Sequence, residues 1–211
     1  MPNPPKFLYG EREPFPWPER VQQSIRSRID DAISRLKPAR FAQEPAYVAA
    51  LIGRLDGVYF EEAGCRVEIL GTIANDRGPN AAEKKYGADF ALTAALQYGT
   101  RVITKVVLGQ AKRGAEKNLP LQEKLRLHGQ IIKMKQQSDC CIVLETPTEA
   151  GDSPGVRVID ASAPRFKSFQ DYLIGGLLSC QHGDTRDLFV SRVQSSRLDH
   201  LHIEIKHPKV S

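Results

Sequence analysis

The segment that most restricts the fold is 102–108 (VITKVVL), followed at once by Gly109-Gln110-Ala111-Lys112. The run is strongly apolar and reads as a buried strand. Upstream, 88–96 is a second, mixed apolar strand, and Tyr98-Gly99-Thr100 between the two is a turn. A hairpin through Gly99 would set the start of the first strand beside the end of the second. Residues i and i+2 of a strand point the same way, so Gln110 and Lys112 share one face. Asp89 can face them across the ladder. A carboxylate, an amide and an ammonium are therefore expected to converge at one sheet edge.

Around this hairpin the pattern alternates. Residues 1–17 are rich in proline and charge and read as an extended arm. Val21, Ile25, Ile29, Ala32, Ile33 and Leu36 then recur at helical spacing between Pro18 and Pro38. A second helix starts near Glu44, with Pro45 at its first position and Val48, Leu51, Ile52 and Leu55 as its stripe. Short strands are expected at 58–60 and 65–70, then a polar loop over 71–87. After the Gln-Ala-Lys segment comes a helix at about 119–137. Leu121, Leu125, Ile131, Ile132 and Met134 are expected on its buried side, with Lys124, Arg126, Lys133 and Lys135 on a basic one. Strands at 140–144 and 156–159, a helix at about 166–180 and strand-like runs at 188–193 and 201–206 complete the chain. The expected class is α/β, a mixed central sheet flanked by helices. An N-terminal arm and helix would occupy 1–38 and one domain 39–211.

Composition bounds the function. Thirty Lys and Arg against 25 Asp and Glu give a formal net charge of +5 over 211 residues, which suits a polyanionic partner. No apolar run approaches the roughly 20 residues of a membrane helix, and the N-terminus lacks the apolar stretch of a secretory signal. A soluble, cytoplasmic protein with no membrane partner is expected. Cys65, Cys140, Cys141 and Cys180 form no C-x-x-C pair, which argues against zinc. They read as buried, reduced thiols. There is no G-x-S-x-G elbow, no H-E-x-x-H helix and no G-x-x-x-x-G-K-[ST] loop.

The convergent triad suits phosphodiester hydrolysis. Mg²⁺, or Mn²⁺ in its place, takes oxygen ligands. Asp89 would supply a charged one, the Gln110 amide oxygen a neutral one, and the Ala111 carbonyl a third. Lys112 would orient the attacking water or offset developing charge. Gly87 and Gly109 flank the triad, and as glycines would let a phosphate backbone approach closely.

An Asp, then (E/Q)-x-K after an apolar strand, resembles the PD-(D/E)xK restriction-endonuclease-like superfamily. The Gln-Ala-Lys version with a nearby Gly87-Ala88-Asp89 is similar to its Mrr-like branch. The resemblance runs from about Phe41 to Val158. It implies a restriction-endonuclease-like fold and a helical Glu that helps hold the metal. Glu44 fits that position, with Glu61, Glu62 and Glu83 as rivals. Gln122 and Gln130, on the helix after the motif, would lie near the catalytic centre, with Glu83 another neighbour of it. Two positions depart from the pattern. Gln110 replaces the usual acid, which removes a negative charge and raises the weight on the helical Glu. Ala88 stands where a proline is usual.

The expected activity is a Mg²⁺- or Mn²⁺-dependent DNA endonuclease of restriction or phage-defence character, working as a homodimer or higher oligomer, with a defence-system protein as a possible partner. Lys84, Lys85, Arg113, Lys117, Lys124 and Lys133 would grip phosphates. A non-catalytic nucleic-acid-binding module on the same fold and a branched-junction resolvase are the alternatives. The tail contains a literal E-x-K, Glu204-Ile205-Lys206, but Asp199 is too near to stand on a paired strand. Leu201, Ile203 and Ile205 are expected on its buried face. His200, His202 and His207 lack an evident further ligand.

Overall fold

The computed structural model describes residues 14–74, 82–149, 152–159 and 166–207. Most of the N-terminal arm and the middle of the 71–87 segment lie outside the described residues. In chain order the elements are α1 (Glu19–Ser34), α2 (Glu44–Leu55), β1 (Val58–Glu62), β2 (Cys65–Thr72), α3 (Ala82–Tyr86), β3 (Phe90–Tyr98) and β4 (Arg101–Arg113). They continue with α4 (Leu121–Gln137), β5 (Cys141–Thr146), β6 (Gly155–Val158), α5 (Phe169–Tyr172), α6 (Asp187–Gln194) and β7 (Asp199–His207).

The seven strands form one mixed sheet in the order β1-β2-β7-β3-β4-β5-β6. Two tight hairpins build most of it. Ala63 and Gly64, at φ 48° and 76°, turn β1 into β2. Positive φ at both central residues matches the twist of a two-residue hairpin. Gly99, at φ 60°, turns β3 into β4, which pair antiparallel from Tyr98–Arg101 to Phe90–Gly109. Helix α4 carries the chain from β4 to the parallel strand β5, as a parallel pair requires. The last strand, β7, inserts between β2 and β3, antiparallel to the first and parallel to the second.

Strand alternation divides the apolar residues between two cores. Val107 and Ala111 of β4 pack with Val21, Ile25 and Ile29 of α1, Leu51 and Leu55 of α2 and Tyr172 of α5. Val106 and Leu108 pack with Tyr86 of α3, Leu127 and Met134 of α4 and Phe189 and Val193 of α6. Helix α1 thus shares its core with the sheet. Its anchor is Trp17, whose Nε1–H donates to the Leu178 carbonyl at 2.7 Å.

Four expectations are corrected. The run at 188–193 is helical, not a strand. Phe189, Val190 and Val193 recur at helical spacing and face the second core. The 71–87 loop contains helix α3. The 166–180 helix is a four-residue α-helix continued by a π-helical stretch, Leu173–Leu178. Finally, α4 is rotated about its axis. Its buried residues are Leu127 and Met134, while Leu121, Leu125 and Ile132 are exposed. A helix aligned by all its apolar residues would bury these three. Leu127 and Met134 pack in the second core with Ile131 against its rim, and Glu123, on the same helical face as Leu127 and Met134, contacts Lys112.

Candidate functional site at the overhanging end of β4

Strand β3 begins at Phe90, opposite Gly109, but β4 runs on to Arg113. The last four residues of β4 keep their pairing to β5 on one side and lose β3 on the other. Side chains fill that open edge. The Asp89 N–H donates to the Gly109 carbonyl at 2.8 Å, and its Oδ2 accepts the Ala111 N–H at 2.8 Å. Two residues further, Glu44 Oε1 accepts the Arg113 N–H at 3.3 Å. A strand residue directs its N–H and C=O to the same side, and residues i and i+2 share that side. The Ala111 carbonyl therefore opens onto the same edge, between the two carboxylates. The two N–H groups they cap stand about 7 Å apart along the strand, at two residues of rise.

Gln110 completes the group. Its side chain is buried, and its Nε2 donates both to Asp89 Oδ2 and, at 3.4 Å, to the Ala111 carbonyl. The nitrogen thus bridges a carboxylate and a carbonyl, as a cation would. The amide oxygen, Oε1, is buried with no hydrogen-bond partner. A half-turn of the amide would aim Oε1 at the carboxylate, which is favourable only with a cation between them. The donor set (carboxylate, amide oxygen, carbonyl) contains no sulfur or nitrogen, and so fits Mg²⁺ or Mn²⁺. Asp89, Gln110, Ala111 and Glu44 are the residues that would hold it.

Lys112 lies on the same strand face as Gln110. Its side chain is 5% exposed, and its Nζ lies 3.4 Å from Glu123 Oε2 of α4. Glu123 is not among the residues that the sequence pattern singles out. A helical wheel centred on Leu127 and Met134 would have found it, since the three lie at i, i+4 and i+11. Glu145 of β5 stands beside Lys112 in the register. Its Oε1, however, takes the Glu116 N–H at 3.3 Å, and Glu116 in turn holds Arg157 at 2.9 Å.

The flanking glycines do another job than expected. A Cβ on Gly109 would lie 2.2 Å from the Phe90 ring, and one on Gly87 2.5 Å from the Gln130 carbonyl. Protein, not ligand, fills both spaces. Gly87, at φ 70°, seats the turn before Asp89 against α4. Gln130 thus lies beside the Gly87 turn, whereas Gln122 is exposed. The Glu83 side chain lies outside the described residues. Lys84 and Lys85 project from α3, Arg113 and Lys117 follow the overhang, and Lys133 is exposed on α4. Lys124 is half-buried and donates to the Lys117 carbonyl at 3.0 Å.

The tail histidines sit elsewhere on the sheet. Leu201, Ile203 and Ile205 of β7 are buried, as expected. On its other face, His200 is 8% exposed with Nε2 unpartnered. Among the described residues no group of three His, Cys, Asp or Glu side chains is arranged to hold a metal. Burial first, and then the neighbouring His202, push the His200 pKa down to about 4, against a carbonyl bond from Leu198 that raises it. An unfolded histidine takes up a proton near pH 6.5. Between about pH 6.5 and pH 4 the unfolded chain binds that proton and the folded chain does not. Stability is therefore expected to fall as pH drops through this window and to level off below it. Urea unfolding at pH 7 and pH 5 should differ by roughly 2 kcal/mol from this group, and His200→Gln should remove that difference.

Compared with known protein families, with characterised proteins and with solved structures, the chain matches none.

Proposed function

We propose that this protein is a divalent-metal-dependent nuclease that hydrolyses DNA phosphodiester bonds in a restriction or phage-defence setting. The reading rests on one observation. At the overhanging end of β4, Asp89, the Ala111 carbonyl and Glu44 line an open edge, and the Gln110 amide bridges the first two. When bound, Mg²⁺ or Mn²⁺ supplies positive charge for the transition state and a more acidic water. Asp89 and Glu44 bring the negative charge that retains the cation, and Gln110 and Ala111 bring neutral oxygens. Lys112 presents its remaining N–H donors to the water or to a phosphate oxygen, where charge builds as the water oxygen bonds to phosphorus. The attacking water gives up a proton to solvent, the phosphorus–oxygen bond to the leaving group breaks, and the leaving oxygen takes a proton from solvent.

Lys84, Lys85, Arg113, Lys117, Lys124 and Lys133 would meet the phosphates. Two-strand cutting calls for two such sites, so we expect a homodimer or larger oligomer. Lys84→Gln/Lys85→Gln/Lys133→Gln is expected to weaken binding alike on all sequences. It should lower the slope of log affinity against log salt by about one for each phosphate no longer neutralised.

A second reading, a nucleic-acid-binding module without hydrolysis, is favoured by Gln110 in place of an acid. One experiment separates the two. Plasmid, single-stranded and four-way-junction DNA are incubated with the protein and Mg²⁺, Mn²⁺ or EDTA. Metal-dependent cutting lost in Asp89→Ala and Lys112→Ala supports the nuclease, and preference for the junction would make it a resolvase. Salt-sensitive binding without cutting supports the module.

A further inference from the structure

Resting on the nuclease reading, we propose that Glu123 is the residue that positions Lys112. The Lys112 side chain is 5% exposed. An ammonium that deep needs a partner, because burial without one is costly. Two carboxylates are within reach by topology. Glu145 is its register neighbour on β5, but its Oε1 accepts the Glu116 backbone N–H at 3.3 Å and its Oε2 lies toward Gly155. Glu123 is the one in contact, at 3.4 Å. It sits in the first turn of α4, where the helix dipole favours a negative charge. Its own side chain is 42% exposed, so it reaches inward from solvent instead of being packed as core.

The geometry gives Glu123 a directional role. Lys112 shares its strand face with Gln110, and its Nζ meets Glu123 Oε2 at 3.4 Å. A single long contact to Glu123 fixes the ammonium and leaves its other N–H groups unspent. Because α4 packs on the sheet through Leu127 and Met134, the carboxylate is carried by a rigid element. The Asp89 carboxylate is engaged by the Gln110 amide and the Ala111 N–H, whereas Glu123 acts through Lys112.

The test uses the full-length protein with plasmid DNA at saturating Mg²⁺. Glu123→Ala is expected to lower kcat roughly tenfold to a hundredfold, the span of a mispositioned catalytic group, with KM and the half-saturating Mg²⁺ concentration within about twofold of wild type. Glu123→Asp should recover part of the loss. In a Lys112→Ala background, Glu123→Ala should change nothing further. Leu125→Ala, exposed on the same helix, is the control. Acetylation of Lys112 by a soluble N-hydroxysuccinimide ester, read by peptide mass spectrometry without metal or DNA, supplies a readout independent of cutting. Lys112 should label slowly in wild type and several-fold faster in Glu123→Ala, with circular dichroism unchanged. If wild type cuts and both Glu123 variants cut equally well, the positioning role is overturned while the nuclease reading stands. If wild type does not cut, the nuclease reading fails and the positioning role of Glu123 in cutting fails with it. Equal Lys112 labelling in wild type and Glu123→Ala overturns the contact itself.

Discussion

Asp89→Ala is expected to reduce metal-dependent cutting by roughly a thousandfold, the scale of losing a principal transition-state stabiliser. The carboxylate does two things at once. It supplies the negative charge at the open edge of β4, and it accepts the Ala111 N–H and the Gln110 amide. Alanine removes both, leaving a strand N–H without its acceptor at a cost of about 1–3 kcal/mol. Asp89→Asn separates the roles. Its amide oxygen can still accept the Ala111 N–H, so thermal stability should stay near wild type while cutting is lost. Single-turnover rates beside melting curves for the two variants check this. Equal loss of stability in both would make Asp89 a structural cap on the strand end.

Gly87→Ala is expected to be the most damaging small substitution near the site. The residue sits at φ 70°, where a side chain is strained. Its new Cβ would lie 2.5 Å from the Gln130 carbonyl and 2.8 Å from the Lys133 Cβ. The nearest of these belongs to the backbone of α4 and cannot swing aside. Strain and overpacking together should cost about 3 kcal/mol, or roughly 6–12 °C in Tm for a domain of this size. The same shift would move Asp89, two residues on, so activity should fall even below the melting range. Differential scanning calorimetry and a cutting assay at about 15 °C, well below the usual melting range of such domains, measure the two effects separately.

Legibility followed locality. The β3–β4 hairpin could be read because both strands and the Gly99 turn are contiguous, and the Asp89–Gln110 meeting follows from that hairpin alone. The overhang of β4 was not legible: 88–96 and 102–108 read as strands that would end together, and β4 runs on to Arg113 because its pairing to β5 continues after β3 has stopped. What stayed hidden depends on distant chain. Nothing within 199–207 announces that it will part β2 from β3, because a strand's neighbours are chosen by packing and not by its own pattern. The helix at 187–194 reads as a strand because Leu188–Val193 is a short apolar run, and short runs satisfy both periods. Gly87 and Gly109 look like room for substrate until Gln130 and the Phe90 ring are seen to occupy that room. Glu123 is hidden because α4 carries more apolar residues than it buries, so counting them points the wrong face inward.

The proposed function requires a divalent cation to bind where β4 outruns β3. Anomalous diffraction from a crystal soaked in Mn²⁺ tests it most directly. The account predicts a single strong peak at coordination distance from an Asp89 carboxylate oxygen and the Ala111 carbonyl, with the Gln110 amide turned to offer Oε1 and Glu44 joining directly or through water. A peak elsewhere, or none at this edge while the same protein cuts DNA with Mn²⁺, would contradict it.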